Sequence, residues 1–123
     1  MKTAHETLAE FIQLMKDFEL YWGEILQNYI DKDNFGEFYS EDNKIKLSEG
    51  IKSIQHKFLS KRALSLTQSR LEALTFRMPP EYNQTITAEQ KISDKKYEID
   101  VLDDKGEKKT YTLVLEGGEW KID

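Results

Sequence analysis

The stretch that decides the fold is KYEIDVLDDKGEKKTYTLVLEGGEWKID, residues 96–123. Apolar and polar side chains alternate along its segments, which is the period of a strand with one buried face. DDKG and EGGE interrupt the alternation, and their glycines suit the positive-φ positions of hairpin turns. The residues expected to point inward are Tyr97, Ile99, Val101, Tyr111, Leu113, Leu115, Trp120 and Ile122. The end of the chain is therefore predicted to be an antiparallel meander.

Two segments upstream extend this prediction. Residues 74–78, LTFRM, alternate in the same way and predict a half-buried strand, while residues 85–92, TITAEQKI, predict a weaker one. MPPEYN, residues 78–83, stands between them. Pro79 and Pro80 cannot donate to a β-ladder, so the first strand must stop or lie at an edge there. By this argument alone, the hexapeptide is a turn.

The N-terminal half follows a helical period instead. TAHE predicts a capping box, in which the side chains of Thr3 and Glu6 each accept a hydrogen bond from the other residue's amide. The apolar stripe behind it predicts a helix from about residue 3 to 30. Its residues are Leu8, Phe11, Ile12, Met15, Phe18, Trp22, Ile25, Leu26 and Tyr29. We expect this aromatic stripe to pack against the sheet, although it could instead line a ligand cavity.

Two shorter helices are predicted next. DKDN offers a break and a new cap before Phe35, Phe38 and Tyr39, which indicate a short helix. The spacing of Leu47, Ile51, Ile54 and Phe58 indicates another, although Gly50 is unfavourable within it.

The predicted fold class is α+β, with N-terminal helices packed on a curved, mostly antiparallel sheet that forms a cone-shaped half-barrel. Residues 1–123 are expected to form a single domain, with helices at about 3–61 and the sheet at about 64–123.

Composition excludes several classes of function. The chain has no cysteine, which removes disulfides, thiolate metal sites and cysteine nucleophiles. A formal charge of −5 argues against nucleic-acid binding. No apolar run reaches the roughly 18 residues that a membrane helix needs, and the N-terminus is not a signal peptide. We therefore expect a soluble, cytoplasmic protein that binds neither nucleic acid nor membranes.

The charge is unevenly distributed. Residues 17–42 contain eight acidic residues and one lysine, a local charge of −7, whereas residues 44–62 carry a local charge of +5. These segments could be two solvated helix faces. The acidic segment could instead steer a basic partner towards this protein.

The hexapeptide and the end of the chain resemble one family. LEALTFRMPPEYN, residues 71–83, and residues 96–123 look like the bacterial immunity-protein family built on the nuclear transport factor 2-like fold. The matching residues are Pro79, Pro80, Glu81, Tyr82, Asn83, Tyr111, Thr112, Leu113, Gly118, Trp120, Lys121, Ile122 and Asp123. The acidic, aromatic first helix is also similar, so the resemblance covers nearly the whole chain. The Gly-x-Trp-Lys-Ile element recurs across the fold's many functions, which leaves the proline turn as the more specific motif.

The resemblance implies an antitoxin without catalytic activity, cofactor or metal. Such a protein binds the C-terminal domain of a cognate polymorphic toxin, nucleases included, and neutralises it by occlusion. The hypothesis also admits a homodimer. In the motif, Trp120 is expected to pack into the concave side of the sheet and Tyr82 to close one of its ends.

The expected partner-binding surface is the acidic loop with its interleaved aromatic residues. Acids steer a basic cleft, and aromatic side chains supply the apolar anchors that interfaces favour. The candidates are Asp31, Asp33, Phe35, Glu37, Phe38, Tyr39, Glu41 and Asp42. In the alternative arrangement Phe35 and Phe38 lie in the core, the acids only solvate a loop, and the partner binds residues 44–62 or the open end of the sheet.

The alternative function is a small-molecule binder or isomerase that uses the cone cavity, because this fold hosts both. A catalytic version needs an acid–base group inside the cone. His5 and His56 are expected at the surface, and Asp100 has the outward parity of Glu98. The sequence contains no phosphate loop, nucleophile elbow or His-Glu-x-x-His motif.

Overall fold

The computed structural model describes residues 1–67 and 82–123, and it shows helices followed by an antiparallel sheet. The predicted strand at 74–78 lies outside the described residues, as do Pro79, Pro80 and Glu81. The helices are α1 (Ala4–Asp31), a 3-10 helix (Phe35–Tyr39), α2 (Glu41–Phe58) and α3 (Lys61–Thr67). The strands are β1 (Gln84–Ser93), β2 (Lys96–Asp103), β3 (Lys108–Glu116) and β4 (Glu119–Ile122). The predicted α+β class is confirmed.

Helix α1 begins with the predicted capping box. The Glu6 amide donates to Thr3 Oγ1 at 3.1 Å, and the Thr3 amide donates to Glu6 Oε1 at 3.2 Å. These bonds satisfy backbone donors that the first turn of a helix leaves free. The same contacts lower the pKa of the Glu6 carboxyl, since the Thr3 backbone and hydroxyl groups both stabilise its ionised form.

The later helices start at serine caps. Ser40 accepts from the Asn43 amide at the start of α2, and Ser60 accepts from the Ala63 amide at 3.1 Å at the start of α3. Helix α3 occupies residues that the prediction assigned to the beginning of the sheet at about residue 64. The Ser60 cap nucleates this extra turn of helix, a local hydrogen bond that apolar periodicity does not register.

The described strands pair in sequence order, β1-β2-β3-β4, and every pair is antiparallel. The hairpin turns use glycine where left-handed backbone is needed, with φ of 82° at Gly106 and 80° at Gly118. Ile99 lies opposite Tyr111, and Leu113 lies opposite Ile122, so one face of the sheet is apolar. That face is the one predicted from the alternation.

The main core fills the space between this sheet face and the helices. Leu8, Phe11 and Met15 of α1 contact the core cluster that includes Ile99 and Leu113. The ring of Phe11 lies against three other rings, at centroid distances of 5.6 Å to Phe58, 5.8 Å to Tyr82 and 6.4 Å to Tyr111. The first half of α1 is thus the helix that covers the sheet.

The second half of α1 packs elsewhere, contrary to the expectation that its whole aromatic stripe would bury against the sheet. Trp22 and Tyr29 contact Phe38 of the 3-10 helix, at centroid distances of 6.3 and 6.0 Å. Trp22 is buried but lies outside the sheet core. Within the described residues, these rings form an aromatic cluster separate from the sheet core, where the 3-10 helix folds back over α1.

Gly50 permits the close approach of α1 and α2. A Cβ at this position would lie 2.8 Å from Cε2 of Phe18, which is inside the limit for real contacts. The ring of Phe18 packs against the core from this position. A residue that is unfavourable for a helix is thus required by the contact between two helices.

The end of the chain is tied to the start of α3. Asp123 accepts hydrogen bonds from Ser60 Oγ at 2.7 Å and from the guanidinium of Arg62 at 2.9–3.2 Å. The Ser60 amide also donates to the Ile122 carbonyl at 2.8 Å. Arg62 and then Ser60 lower the pKa of the Asp123 carboxyl by stabilising its ionised form.

We predict that Gly50→Ala lowers the free energy of unfolding by about 1 kcal/mol. Alanine gains about 1 kcal/mol of helix propensity, but overpacking against Phe18 costs roughly 1–3 kcal/mol. Gly36→Ala is the matched control, since a Cβ there meets nothing within 4 Å. Urea unfolding measures both variants, and a gain in stability for Gly50→Ala would contradict the close contact.

We also predict that Asp123→Asn destabilises the protein in a pH-dependent way. Because the folded-state pKa of Asp123 is lowered, its contribution is present above the ordinary aspartate pKa and is lost as pH falls through the lowered value. The stability difference from the wild type should be largest near neutral pH and should shrink below about pH 4. Unfolding curves across this range test it, with Asp104→Asn in an exposed turn as the control. A difference that does not vary with pH would show that Asp123 acts without its charge.

Candidate functional site

The structure brings the predicted partner-binding residues together where α1 ends and α2 begins. Asp31 is the last residue of α1, Asp33 lies in the connecting turn, and Glu41 and Asp42 form the first turn of α2. All of the predicted residues except Phe38 are exposed. We call the exposed set the acidic–aromatic patch. It comprises Asp31, Asp33, Phe35, Glu37, Tyr39, Glu41 and Asp42.

Phe38 is the exception, and its prediction as a contact residue is wrong. Its side chain is 0% exposed because the rings of Trp22 and Tyr29 surround it. It supports the patch from below, since its ring lies 5.0 Å from that of Tyr39 at an interplanar angle of 90°. Of the two phenylalanines that the alternative arrangement placed in the core, Phe38 is there and Phe35 is not.

A tight reversal after α1 positions the patch. The amides of Asp33 and Asn34 donate to the carbonyls of Ile30 and Tyr29, at 3.0 and 2.8 Å. Asp33 takes the left-handed conformation with φ of 54°, which aspartate tolerates better than most residues. The predicted break at DKDN is therefore a helix C-terminus closed by its own backbone.

Two aromatic rings of the patch project into the solvent. Phe35 is 50% exposed and Tyr39 is 51% exposed. Their centroids are 5.5 Å apart at 73°, an edge-to-face arrangement that favours a fixed mutual orientation. A pair of half-exposed rings held on a buried third ring is a rigid apolar feature of the kind that protein interfaces use as an anchor.

The carboxylates of the patch lack cationic partners within the described residues. Asp31 accepts from the amide of Gln27 at 2.9 Å, and no described lysine, arginine or histidine lies within ion-pair distance of any patch carboxylate. Lys32 is adjacent in sequence but makes no such pair. The patch thus presents five carboxylates whose negative charge is open to a partner.

The hollows of the described surface include two that could matter for ligand binding. One has a volume of about 310 Å³ and lies beside the patch, where it is lined by Ile25, Asn28, Tyr29, Lys32 and Asn34. The other has a volume of about 460 Å³ and lies where the start of α1, the end of α2 and β4 meet. Its lining consists of Met1, Lys2, Thr7, Lys57, Phe58, Glu119, Trp120 and Lys121.

Each lysine of the larger hollow is paired with a carboxylate of the same chain. Glu10 pairs with both Lys2 and Lys57, and these two contacts lower the pKa of its carboxyl. Lys121 Nζ lies 3.2 Å from Glu119 and donates to the Lys57 carbonyl at 2.7 Å. The hollow is therefore less basic than the number of its lysines suggests.

Tyr82 and Asn83 are the described residues of the proline turn. The Tyr82 amide donates to Glu19 Oε1 at 2.9 Å, and the Tyr82 ring meets Phe11 edge-to-face at 5.8 Å. Tyr82 thus contacts α1 through both its amide and its ring, in keeping with a structural role. At the other end of the sheet face, Trp120 packs on the core and meets Tyr97 edge-to-face at 5.2 Å.

Glu19 is a residue whose position sequence reasoning missed. It was counted with the acidic surface, but it is only 5% exposed. A signal was present, because Met15, Glu19 and Trp22 follow at four- and three-residue steps and share one face of the helix. A carboxylate in phase with an apolar stripe indicates a buried hydrogen-bond acceptor.

The groups considered for catalysis are separated from one another. His5 contacts Glu89 at 3.0 Å on the surface, and His56 is exposed on α2. Asp100 points away from the core, where Thr110 and then Lys108 lower its carboxyl pKa. Within residues 1–67 and 82–123, histidine and acidic side chains form no group of three that could hold a metal ion.

Comparison with known proteins gave no match. No family model, curated protein or solved structure is similar to the chain. In the described part of the chain, no helix combines the length and the apolar character that crossing a membrane requires.

We predict that Phe38→Ala destabilises the protein much more than Phe35→Ala does. Removing the buried ring of Phe38 should cost about 3–5 kcal/mol of stability, because it leaves a cavity beside Trp22 and Tyr29. Phe35→Ala and Tyr39→Ala should each cost less than about 1 kcal/mol, since both rings are half exposed. Thermal or urea unfolding distinguishes them. Equal losses for Phe35 and Phe38 would place both rings in the core.

Proposed function

We propose that the protein is an immunity protein that binds a cognate bacterial toxin domain through the acidic–aromatic patch and neutralises it by occlusion. The observation that carries this is the combination at one site of two half-exposed rings and five carboxylates that have no cationic partner among the described residues. A surface of this kind contributes nothing to the core, but it matches a basic, ligand-binding cleft on another protein.

The same proposal assigns the finer fold, the nuclear transport factor 2-like cone. Its support is the order of helices followed by an antiparallel sheet, with α1 across the apolar sheet face. The sequence resemblance in residues 78–83 and 96–123 points the same way. The cytoplasm is the compartment that fits such an antitoxin, because the toxin must be blocked before it reaches its target.

Occlusion needs fast association and slow dissociation, and different groups of the patch provide the two. The carboxylates attract a basic surface over a Debye length of about 8–10 Å, which accelerates encounter. Phe35 and Tyr39 then bury apolar area, which slows dissociation. No bond is made or broken in this mechanism, so no catalytic residue is required.

Binding of a small ligand is the second candidate function, and the hollow beside β4, with a volume of about 460 Å³, favours it. That volume is within the range of small-molecule sites, and Phe58 and Trp120 give it apolar walls. A ligand held there would raise the unfolding temperature in proportion to its binding. Screening anionic aromatic compounds by thermal shift tests this candidate separately.

Co-expression tests the proposed function directly. The toxin domain encoded immediately upstream should arrest growth when it is expressed alone, and this protein should restore growth. A variant in which Asp31, Asp33, Glu41 and Asp42 are all changed to Lys should rescue poorly. Growth arrest that this protein does not relieve, with both proteins folded and present, would reject the immunity function.

We predict that this fourfold Lys variant associates with the toxin domain at least about tenfold more slowly at low salt and loses most of the salt dependence. Stopped-flow or surface-binding kinetics measure both effects. The matched control changes Asp94, Asp104, Glu107 and Glu119 to Lys, an equal charge change on exposed residues of the sheet. Equal rates for the two variants would show that net charge, and not the patch, governs association.

A further inference from the structure

Within the described residues, no cation lies over the rings of the Phe35–Tyr39 pair, in contrast to the rings of Phe58 and Tyr111. Lys57 Nζ lies 5.2 Å from the Phe58 centroid, and Lys109 Nζ lies 4.7 Å from the Tyr111 centroid. In the described ranges, no lysine or arginine takes such a position over Phe35 or Tyr39. The exposed ring faces therefore keep the negative electrostatic character that attracts a cation.

The ring pair is also fixed in advance of binding. Tyr39 rests on the buried ring of Phe38, which Trp22 and Tyr29 hold in place. Phe35 and Tyr39 contact each other edge-to-face, so each limits the rotation of the other. A ligand that binds here spends little free energy on ordering the site.

The surrounding charge selects the chemistry of the ligand. Asp33, Glu37 and Glu41 are close in sequence to the two rings, and no described cation pairs with them. A purely apolar group docked on the rings would remove water from these carboxylates without replacing it. A cationic group would instead gain from both the ring faces and the carboxylates.

Among cationic side chains, arginine fits this arrangement better than lysine. Its planar guanidinium can stack on an aromatic ring while its edge donates paired hydrogen bonds to a carboxylate. The lysine ammonium is compact and strongly hydrated, and it presents no flat face. We propose that the Phe35–Tyr39 pair is the anchor site for an arginine side chain of the partner. This inference rests on the proposed function and specifies the residue type that the toxin domain inserts.

A peptide titration tests the arginine anchor without the toxin. The probes are the capped tetrapeptides acetyl-Gly-Arg-Arg-Gly-amide and acetyl-Gly-Lys-Lys-Gly-amide, which carry the same charge. Titrated into the isotopically labelled protein, the arginine peptide should shift the NMR signals of residues 35–39, with at least about threefold higher affinity than the lysine peptide. Equal affinities, or shifts centred outside the patch, would overturn the proposal.

Two variants separate stacking from charge. Replacing both Phe35 and Tyr39 by Leu keeps an apolar surface but removes the rings, so the preference for arginine should disappear while weak binding of both peptides remains. Tyr21→Leu is the matched control, because Tyr21 is 62% exposed on α1 yet lies outside the patch. A preference for arginine that survives the double Leu variant would rule out ring stacking.

The two proposals fail in different ways. A preference for arginine at the patch together with no rescue from the toxin would leave the anchor site standing and reject the immunity function. Rescue from the toxin together with equal affinity for the two peptides would do the reverse. Binding of the toxin domain by the double Leu variant gives a second readout, which should fall at least about tenfold if an arginine stacks on these rings.

Discussion

Burial of the apolar stripe of α1 is the constraint on which the rest of the structure depends. The helix has 28 residues and is about 42 Å long, and its residues that pack with the described sheet core lie between Ala4 and Phe18. Trp22 and Tyr29 in the second half would be exposed if Phe38 did not cover them. Burial of Trp22 and Tyr29 by Phe38 therefore fixes the position of the 3-10 helix on α1. The acidic–aromatic patch lies on the outer surface of that 3-10 helix.

Periodicity predicted α1, α2 and the inward face of the later strands, because each of these depends on its own sequence, but it did not predict α3. The capping box, the helix of α2 and the inward face of the strands follow from spacings within about 30 residues. Phe35, Phe38 and Tyr39 lie within five residues, too few to show a period. Which of them is buried is decided by Trp22 and Tyr29 of another helix. The same limit applies to Gly50, whose unfavourable propensity is offset by its contact with Phe18.

The acidic segment shows why counting charges along a sequence is an imperfect guide to a surface. Glu19 belongs to the run of eight acids, yet it is buried and accepts the Tyr82 amide, so it joins α1 to the chain that enters β1. A buried carboxylate with a backbone donor organises structure and does not steer a partner. The five patch carboxylates around the 3-10 helix are all exposed, and they form a smaller and better-defined acidic surface than the whole segment 17–42.

The balance of charge within the chain separates the two candidate functions. At the hollow beside β4, Glu10 and Glu119 already pair with the three lysines, so an anionic ligand would have to compete with contacts that the protein makes itself. At the patch, five carboxylates face the solvent and repel one another, an arrangement that slightly opposes folding and that no described cation relieves. Stability alone does not favour such a surface. The proposed binding of a basic partner would favour it, because the partner's cations would remove the repulsion that no described residue relieves.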